Sequence, residues 1–308
     1  MNSIEINCLQ CNHNKSKFFS QSKRKNFSLE GFSYYQCENC KGVFLNPLPN
    51  ENQIIDFYKD PHLNPTIIAD PIKTREKYLS KSRLNHDLTT YVNTLLRYKK
   101  KGEVLDFGCG VGWLVYHLNQ RGFDTFGLDF NKNVVEIGKK AFDVELNIGD
   151  FDTLKSFKNQ SFEAIYALSC IEHLTNPDSF LKECYRILKP GGIIISVVPT
   201  TDSLQFKYLK DNFYWLMAPY HINIFSKSGF KSLMNRNDFI HLETKSVKKT
   251  WYWTKPIIDK MKLNEQYNQW RKDESFVKFD IFLDEIFDDI SFDLDLSSSF
   301  ISVFQKQT

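Results

Sequence analysis

The sequence predicts an α/β protein whose core is a mostly parallel sheet with an antiparallel last strand. Between residues 103 and 200, short apolar runs alternate with segments of helical spacing, which favours parallel strands joined by crossing helices. A glycine cluster at 108–112 directly follows the first of these runs, as in ligand-binding turns. Near the end of the chain, 298–306 alternates apolar and polar residues, so we expect a strand that closes the sheet.

Two CxxC pairs, Cys8–Cys11 and Cys37–Cys40, come first along the chain and are separated by 25 residues. Two such turns can present four thiolates tetrahedrally, which is the arrangement that zinc prefers in closed structural sites. Four protein ligands leave no open position on the metal. We therefore predict a zinc ion that folds a small segment and takes no part in catalysis.

Composition divides the chain into three regions. Residues 1–50, which end in NPLPN, form a predicted zinc-ribbon module, and residues 51–101 form a helical linker or lid region. Residues 102–308 form the sheet domain, with an aromatic lid at 200–235 and a helical insertion at 251–296.

The sheet domain is predicted element by element. Its strands are expected at 103–107, 123–130, 144–150, 162–169 and 193–199. Its helices are expected at 113–122, 134–142 and 178–192, of which the last ends in Pro-Gly-Gly. Strands that alternate with helices in this way give one sheet with helices on both faces.

The 308-residue composition limits the partners. Lys+Arg total 40 and Asp+Glu 37, a formal net charge of +3, which is too small to indicate an obligate nucleic-acid binder. The longest apolar run, 193–198, is far below the roughly 18 residues of a membrane span. The first residues lack the basic and apolar stretches of a signal peptide. We therefore expect a cytoplasmic protein that acts on a small molecule or glycan, and its oligomeric state stays open.

The glycine loop reads Asp106-Phe-Gly108-Cys-Gly110-Val-Gly112. A dinucleotide fingerprint would place its third glycine at the position of Trp113, so the spacing does not match it. A carboxylate at the end of the strand opposes a pyrophosphate and favours a cationic ligand. S-adenosylmethionine carries an ammonium and a sulfonium and no phosphate, so it is the predicted cofactor.

Two further acids follow the next two predicted strands. Asp129 is placed to accept hydrogen bonds from ribose hydroxyls, and Asp150 from an adenine amine, with Phe151 beside the ring. The carboxyl ends of parallel strands meet at one edge of a sheet, so the three acids are expected together. For any single acid, a helix N-cap is the alternative interpretation.

Residues 104–200 resemble the class I S-adenosylmethionine-dependent methyltransferases. The resemblance is carried by LDFGCGVG, GLDFN, GDF, ALSCIEHL and LKECYRILKPGGIIISVVP. It implies a Rossmann-like class I methyltransferase sheet. It also implies that the cofactor is contacted by Asp106, Gly108, Cys109, Gly110, Gly112, Asp129, Phe130, Asp150, Phe151, Ala167 and Leu168.

The N-terminal segment resembles the zinc-bearing modules of methyltransferases in sugar and cell-surface polysaccharide biosynthesis. This resemblance implies a sugar or sugar nucleotide as the acceptor, methylated on oxygen or carbon. His173, Tyr220 and His221 are the candidate catalytic residues, and the last two lie in a stretch that resembles a YHxxxFS pattern near the substrate. Asn223 replaces an acidic residue of that pattern, so the methylated atom is not fixed.

Two other functions remain open at this point. One is an RNA methyltransferase that grips RNA through the ribbon and its basic patch at 23–25. The other is a regulator that binds the cofactor without turnover. Residues 169–172 read Ser-Cys-Ile-Glu, which differs from the Asn/Asp-Pro-Pro-Tyr/Phe sequence of amine methylases and disfavours methylation of a base amine.

Overall fold

The computed structural model describes residues 3–21, 31–50, 52–54, 69–79, 83–247, 261, 264–270 and 272–308. The predicted basic patch at 23–25 and the aromatic run at 251–253 lie outside these ranges. Within the described part of the chain, no helix combines the length and the apolar character needed to cross a bilayer.

A small antiparallel sheet precedes the main sheet along the chain, and helices lie between the two. The strands are β1 Ile4–Glu5, β2 Lys15–Gln21, β3 Ser33–Cys37 and β4 Val43–Asn46. The helices are α1 Pro71–Leu79 and α2 Arg83–Tyr98.

The main sheet alternates strands and helices. Its first half contains β5 Gly102–Phe107, α3 Trp113–Asn119, β6 Phe123–Asp129, α4 Lys132–Phe142, β7 Leu146–Ile148 and α5 Phe151–Leu154. Its second half contains β8 Phe162–Leu168, α6 Pro177–Ile187 and β9 Leu188–Pro199. The remaining elements are α7 Leu204–Leu209, β10 Asn223–Ile224, α8 Lys227–Asn235, β11 Phe239–Val247, α9 Asn264–Trp270, α10 Glu274–Asp293 and β12 Ser299–Lys306.

The seven strands of the main sheet run in the order β11-β12-β9-β8-β5-β6-β7. Strands β5 to β9 pair in parallel, and β12 pairs antiparallel with both β9 and β11. The predicted mostly parallel sheet with an antiparallel end strand is therefore confirmed. The strand expected at 298–306 is β12, and β11 pairs with its other side at the end of the sheet.

Both faces of the sheet are packed. Alternate residues of β8 point in opposite directions, so Ile165 and Ala167 join one apolar cluster while Ala164 and Tyr166 join the other. Burial on both faces explains why the parallel strands read as continuous apolar runs. The residues just beyond the strand ends are thereby left as the accessible edge of the sheet.

The N-terminal sheet takes its fifth strand from a distant part of the chain. The order is β1-β2-β3-β4-β10, and β10 pairs with β4 through Asn223 opposite Phe44 and Ile224 opposite Val43. The module predicted at 1–50 therefore shares a sheet with the region predicted as the aromatic lid.

Candidate active site and cysteine cluster

A cavity of about 1000 Å³ opens at the carboxyl ends of β5, β6, β7 and β8. Two parts of its lining differ in chemistry. One, here called the carboxylate wall, consists of 106–111, 128–131 and 149–151. The other, here called the aromatic wall, consists of Tyr78, Tyr91, Trp113, Tyr214, Trp215 and Tyr220.

The glycine loop closes on the neighbouring strand. The Gly110 N–H donates a hydrogen bond to Asp129 Oδ2 at 2.9 Å, and Gly110 adopts a φ of 55°, which favours glycine. A Cβ on Gly110 would meet no atom within 4 Å, whereas one on Gly112 would lie 2.6 Å from Leu146. Gly110 thus borders open cavity, and Gly112 allows close packing beneath it.

Asp106 is the most deeply buried acid of the carboxylate wall, at 3% exposure. Within the described residues, its carboxylate receives no hydrogen bond. Burial and the nearby charge of Asp129 raise the pKa of Asp106 to about 7. A cationic group in the cavity would favour the ionised form of this carboxylate, as predicted.

Asp129 is fixed by backbone groups on both sides. Its Oδ1 accepts from the Asn131 N–H at 2.9 Å, and its Oδ2 accepts from the Gly110 N–H at 2.9 Å. Burial raises the pKa of Asp129, and these two hydrogen bonds oppose that rise. The carboxylate therefore has a fixed orientation between the glycine loop and the start of α4.

Asp150 caps a helix and also lines the cavity. Its Oδ1 accepts from the N–H groups of Asp152 at 2.9 Å and Thr153 at 3.3 Å, which caps α5. The hydrogen bonds of Asp150 are therefore those of a helix N-cap, which was the alternative interpretation. Both bonds use one oxygen, and Phe151 and the 41% exposed Phe130 stand beside it in the cavity lining.

Ala167 and Leu168, the two cofactor residues predicted at the end of β8, have different surroundings. Leu168 lines the cavity, whereas Ala167 is fully buried in the core and does not line it. The expectation that both face the cofactor therefore fails for Ala167, because successive residues of a strand point to opposite faces.

His173 lines the cavity and has a defined hydrogen bond. Its Nδ1 lies 2.8 Å from the carbonyl oxygen of Tyr220, so Nδ1–H donates and the neutral ring keeps its lone pair on Nε2. Glu172, a buried carboxylate, places Oε1 4.0 Å from that Nε2. The rings of His173 and Tyr220 lie 4.0 Å apart between centroids.

His221 lies behind His173, outside the cavity lining. It is 2% exposed, and its Nδ1 lies 2.7 Å from the carbonyl oxygen of Trp215. Its ring stacks on that of His173, with centroids 4.8 Å apart. The expectation that His221 faces the substrate is therefore not met, whereas Tyr220 does line the cavity.

The aromatic wall draws on distant segments. Tyr214 and Trp215 come from the predicted lid, but Phe213 packs away from the cavity against Phe206. Sequence reasoning missed Tyr78 of α1 and Tyr91 of α2 as lining residues. No local pattern signals their convergence, since each occupies an ordinary helical position.

The four predicted zinc ligands lie together. The Sγ atoms of Cys8 and Cys40 are 3.7 Å apart, those of Cys11 and Cys37 are 3.6 Å apart, and all four lie within 4.8 Å of one another. Disulfide sulfurs would be about 2.05 Å apart, so these are thiols. Sulfurs 2.3 Å from a tetrahedral zinc would be separated by about 3.8 Å, which the cluster fits.

The close packing of the four sulfurs gives the cysteines different pKa values. The hydrogen bond from the Cys8 thiol lowers the pKa of Cys40 to about 5, while burial raises the pKa of Cys37 to about 11. A bound dication would favour the thiolate form of all four.

Comparisons with known proteins agree with this geometry. A family model described as a methyltransferase domain matches residues 80–243. A sterol 4-C-methyltransferase of Caenorhabditis elegans is 27% identical over 191 residues, which cover 58% of this chain and 52% of that protein. A mitochondrial ubiquinone biosynthesis O-methyltransferase of Dictyostelium discoideum is 37% identical over 114 residues, or 32% of this chain and 36% of that one. The chain thus spans about half or less of the length of these relatives.

Solved structures show the same fold. A phosphoethanolamine N-methyltransferase of Haemonchus contortus, in complex with phosphomonomethylethanolamine and S-adenosylhomocysteine, has a TM-score of 0.53 at 17% identity, covering 86% of this chain and 63% of that one. The cyclase SpnF has a TM-score of 0.50 at 17% identity, covering 74% and 84%. Similarity at this level concerns the fold alone.

Proposed function

The chain belongs to the class I S-adenosylmethionine-dependent methyltransferase family, and from that premise we propose that it methylates a hydroxyl group of a small molecule or glycan, with a sugar as the favoured acceptor. The observation that carries the proposal is the pairing of a carboxylate wall with a cavity-lining histidine whose Nδ1 is already committed.

The carboxylate wall fits the predicted cofactor. Asp106 is buried without a hydrogen bond among the described residues, which suits a cationic methionine end. Asp129 is fixed at the end of β6 beside the glycine loop, where ribose hydroxyls would donate hydrogen bonds to its remaining lone pairs, and Asp150 and Phe151 border the adenine region. When bound, the cofactor supplies an electrophilic methyl group on its sulfonium.

His173 is the proposed general base. With Nδ1–H donated to the Tyr220 carbonyl, Nε2 is the atom that takes the proton from an acceptor hydroxyl. The positive charge that then forms on the ring is stabilised by the Glu172 carboxylate, 4.0 Å from Nε2. The rest of the catalysis is positioning, because the walls hold the attacking oxygen in line with the methyl group.

The aromatic wall supports a sugar as the acceptor. Aromatic side chains offer flat apolar faces and, for tyrosine and tryptophan, a polar group at the rim. Asn223, which stands where an acidic residue would favour carbon methylation, is fully buried in β10 and donates from Nδ2 to the Leu174 carbonyl. That position therefore favours oxygen over carbon as the methylated atom.

The four cysteines form the proposed structural zinc site. Their sulfur separations match a tetrahedral Cys₄ shell, which leaves no open coordination position. The metal would therefore stabilise the N-terminal sheet and supply no chemistry to the cavity.

Incubation with the methyl-labelled cofactor tests the proposal. Panels of free sugars, nucleotide sugars, glycans and phenols serve as acceptors, and mass spectrometry locates the label. We expect label on the oxygen of a sugar hydroxyl. Label on a phenol alone would replace the sugar assignment, and cofactor binding without turnover on any panel would favour the regulator.

RNA is the remaining alternative acceptor. Binding through phosphates weakens steeply as salt rises, whereas binding of an uncharged sugar does not. We expect acceptor turnover to change less than about twofold between 50 and 200 mM salt, against 10³-fold or more for a protein with many phosphate contacts.

A further inference from the structure

The segment 220–224 connects the cavity to the cysteine module. Tyr220 lines the cavity, His221 stacks behind His173, and Asn223–Ile224 form β10. Here this segment is called the strap. Four of its five backbone carbonyls accept the hydrogen bonds described below, and three of the four donors lie in the first 46 residues.

Three consecutive carbonyls of the strap have defined donors. The Tyr220 carbonyl accepts from His173 Nδ1 at 2.8 Å. The next carbonyl, of His221, accepts from the Tyr34 hydroxyl at 2.8 Å, and that of Ile222 accepts from the Leu45 N–H at 2.8 Å. The acceptor that fixes the His173 ring is therefore adjacent to two carbonyls fixed by the module.

The turn between the first two cysteines holds the far end of the strap. Gln10 is fully buried, and its Nε2 donates to the Ile224 carbonyl at 3.0 Å and to the Val43 carbonyl at 3.2 Å. Its Oε1 accepts from the Ser226 N–H at 3.3 Å. A cysteine turn thus hydrogen-bonds directly to the chain that shapes the cavity.

We propose that Tyr34 is a positioning residue for the acceptor half of the site, acting through the strap on the orientation of His173. Tyr34 is fully buried under the strap, and its hydroxyl holds the carbonyl next to the one that accepts from His173. Loss of this bond leaves a buried carbonyl without that donor, so the strap has to shift to find another. Tyr34 is not among the residues that line the cavity, so it acts on the site only through its neighbours, and Trp215 packs against the same apolar cluster.

The matched pair of variants is Tyr34→Phe and Tyr35→Phe. Each removes one hydroxyl from β3, but Tyr35 is half-buried and packs edge-on against Phe18, away from the strap. Histidine labelled with ¹⁵N reports the tautomer of each ring by NMR, and His173→Gln and His221→Gln variants assign the two signals. Calorimetry with S-adenosylhomocysteine reports whether the carboxylate wall is intact.

In Tyr34→Phe, we expect both histidine signals to move and the affinity for S-adenosylhomocysteine to stay within about twofold. In Tyr35→Phe, neither should change. Unchanged histidine signals in Tyr34→Phe would overturn the proposal, as would a loss of cofactor affinity equal to the loss of turnover.

The kinetic consequence rests on the proposed methyl transfer. Once an acceptor is identified, kcat should fall about 10-fold to 100-fold in Tyr34→Phe, because a small displacement of the base lowers the rate strongly. If no acceptor is ever methylated while the histidine signals still move, the proposed function fails and the positioning role stands.

Discussion

The two walls of the cavity are built in different ways. The carboxylate wall comes from the ends of three neighbouring strands, β5, β6 and β7, within about 45 consecutive residues of the chain. The aromatic wall comes from α1, α2, the first residue of α3 and the loop before β10, so its residues span a much longer stretch of the chain. One wall therefore depends on the main sheet alone, whereas the other depends also on the N-terminal sheet that supports the loop.

Because the two walls have different supports, mutations should be able to impair acceptor binding and cofactor binding separately. Damage to the N-terminal sheet should spare the carboxylate wall, and damage to the strand ends should weaken cofactor binding without moving the strap. The following variants test this separation.

The largest effect is expected when two cysteines are lost together, in Cys37→Ser with Cys40→Ser. The proposed zinc site would lose two of its four ligands, so bound zinc should disappear from metal analysis and the N-terminal sheet should loosen. Acceptor turnover should fall by about 100-fold or more, while affinity for S-adenosylhomocysteine should stay within about threefold. Cys184→Ala, which removes a thiol from α6, should keep the zinc. Zinc retained in the double variant would refute the assignment.

The next effect concerns the proposed base. His173→Gln should lower kcat by about 10²-fold to 10⁴-fold, the range for loss of a general base, with cofactor affinity unchanged. The control is His241→Gln, since His241 lies on β11 and its ring contacts Thr244 and Phe304. A kcat close to that of the wild type at all pH values would remove His173 from the chemistry.

A smaller effect is expected on the carboxylate wall. Asp129→Ala removes an acceptor fixed between Gly110 and Asn131, and cofactor affinity measured by calorimetry should weaken by about 1.5–3 kcal/mol. Asp124→Ala, at the exposed start of the same strand, is the control and should bind normally. Equal affinities of the two variants would exclude Asp129 from the site.

The smallest effect is a pH dependence of cofactor binding. Because the pKa of Asp106 is raised to about 7, its carboxylate is ionised above that pH and protonated below it in the unliganded protein. Binding of a cationic ligand should therefore weaken as pH falls through 7, by at most about tenfold per unit. Calorimetry from pH 6 to pH 8 measures this slope, and Asp106→Asn should flatten it. A slope of the opposite sign would contradict a cationic ligand at Asp106.

Most of the carboxylate wall could be predicted from the sequence. Asp106, Asp129 and Asp150 each follow a short apolar run, and parallel strands bring their carboxyl ends to one edge whatever the rest of the chain does. The cysteine cluster was equally predictable, because each CxxC pair is a local turn and only two such turns have to meet.

The acceptor half was less predictable. The sequence does not distinguish His173 from His221, yet only His173 lines the cavity, and the adjacent residues Ala167 and Leu168 have opposite surroundings. Such choices depend on which way a side chain points after the strand ends. Neighbouring positions of a strand point to opposite faces of the sheet, so an error of one residue in the predicted position reverses the side-chain direction.

The parallel core, the acids at its edge and the four clustered thiols were therefore predictable from the chain, because each follows from short-range periodicity or spacing. Tertiary structure alone decided that β10 completes the N-terminal sheet and that Tyr34 reaches His221 across 187 residues. Hydrogen bonds between such distant residues leave no periodic trace in the chain, since they form only after both sheets have packed.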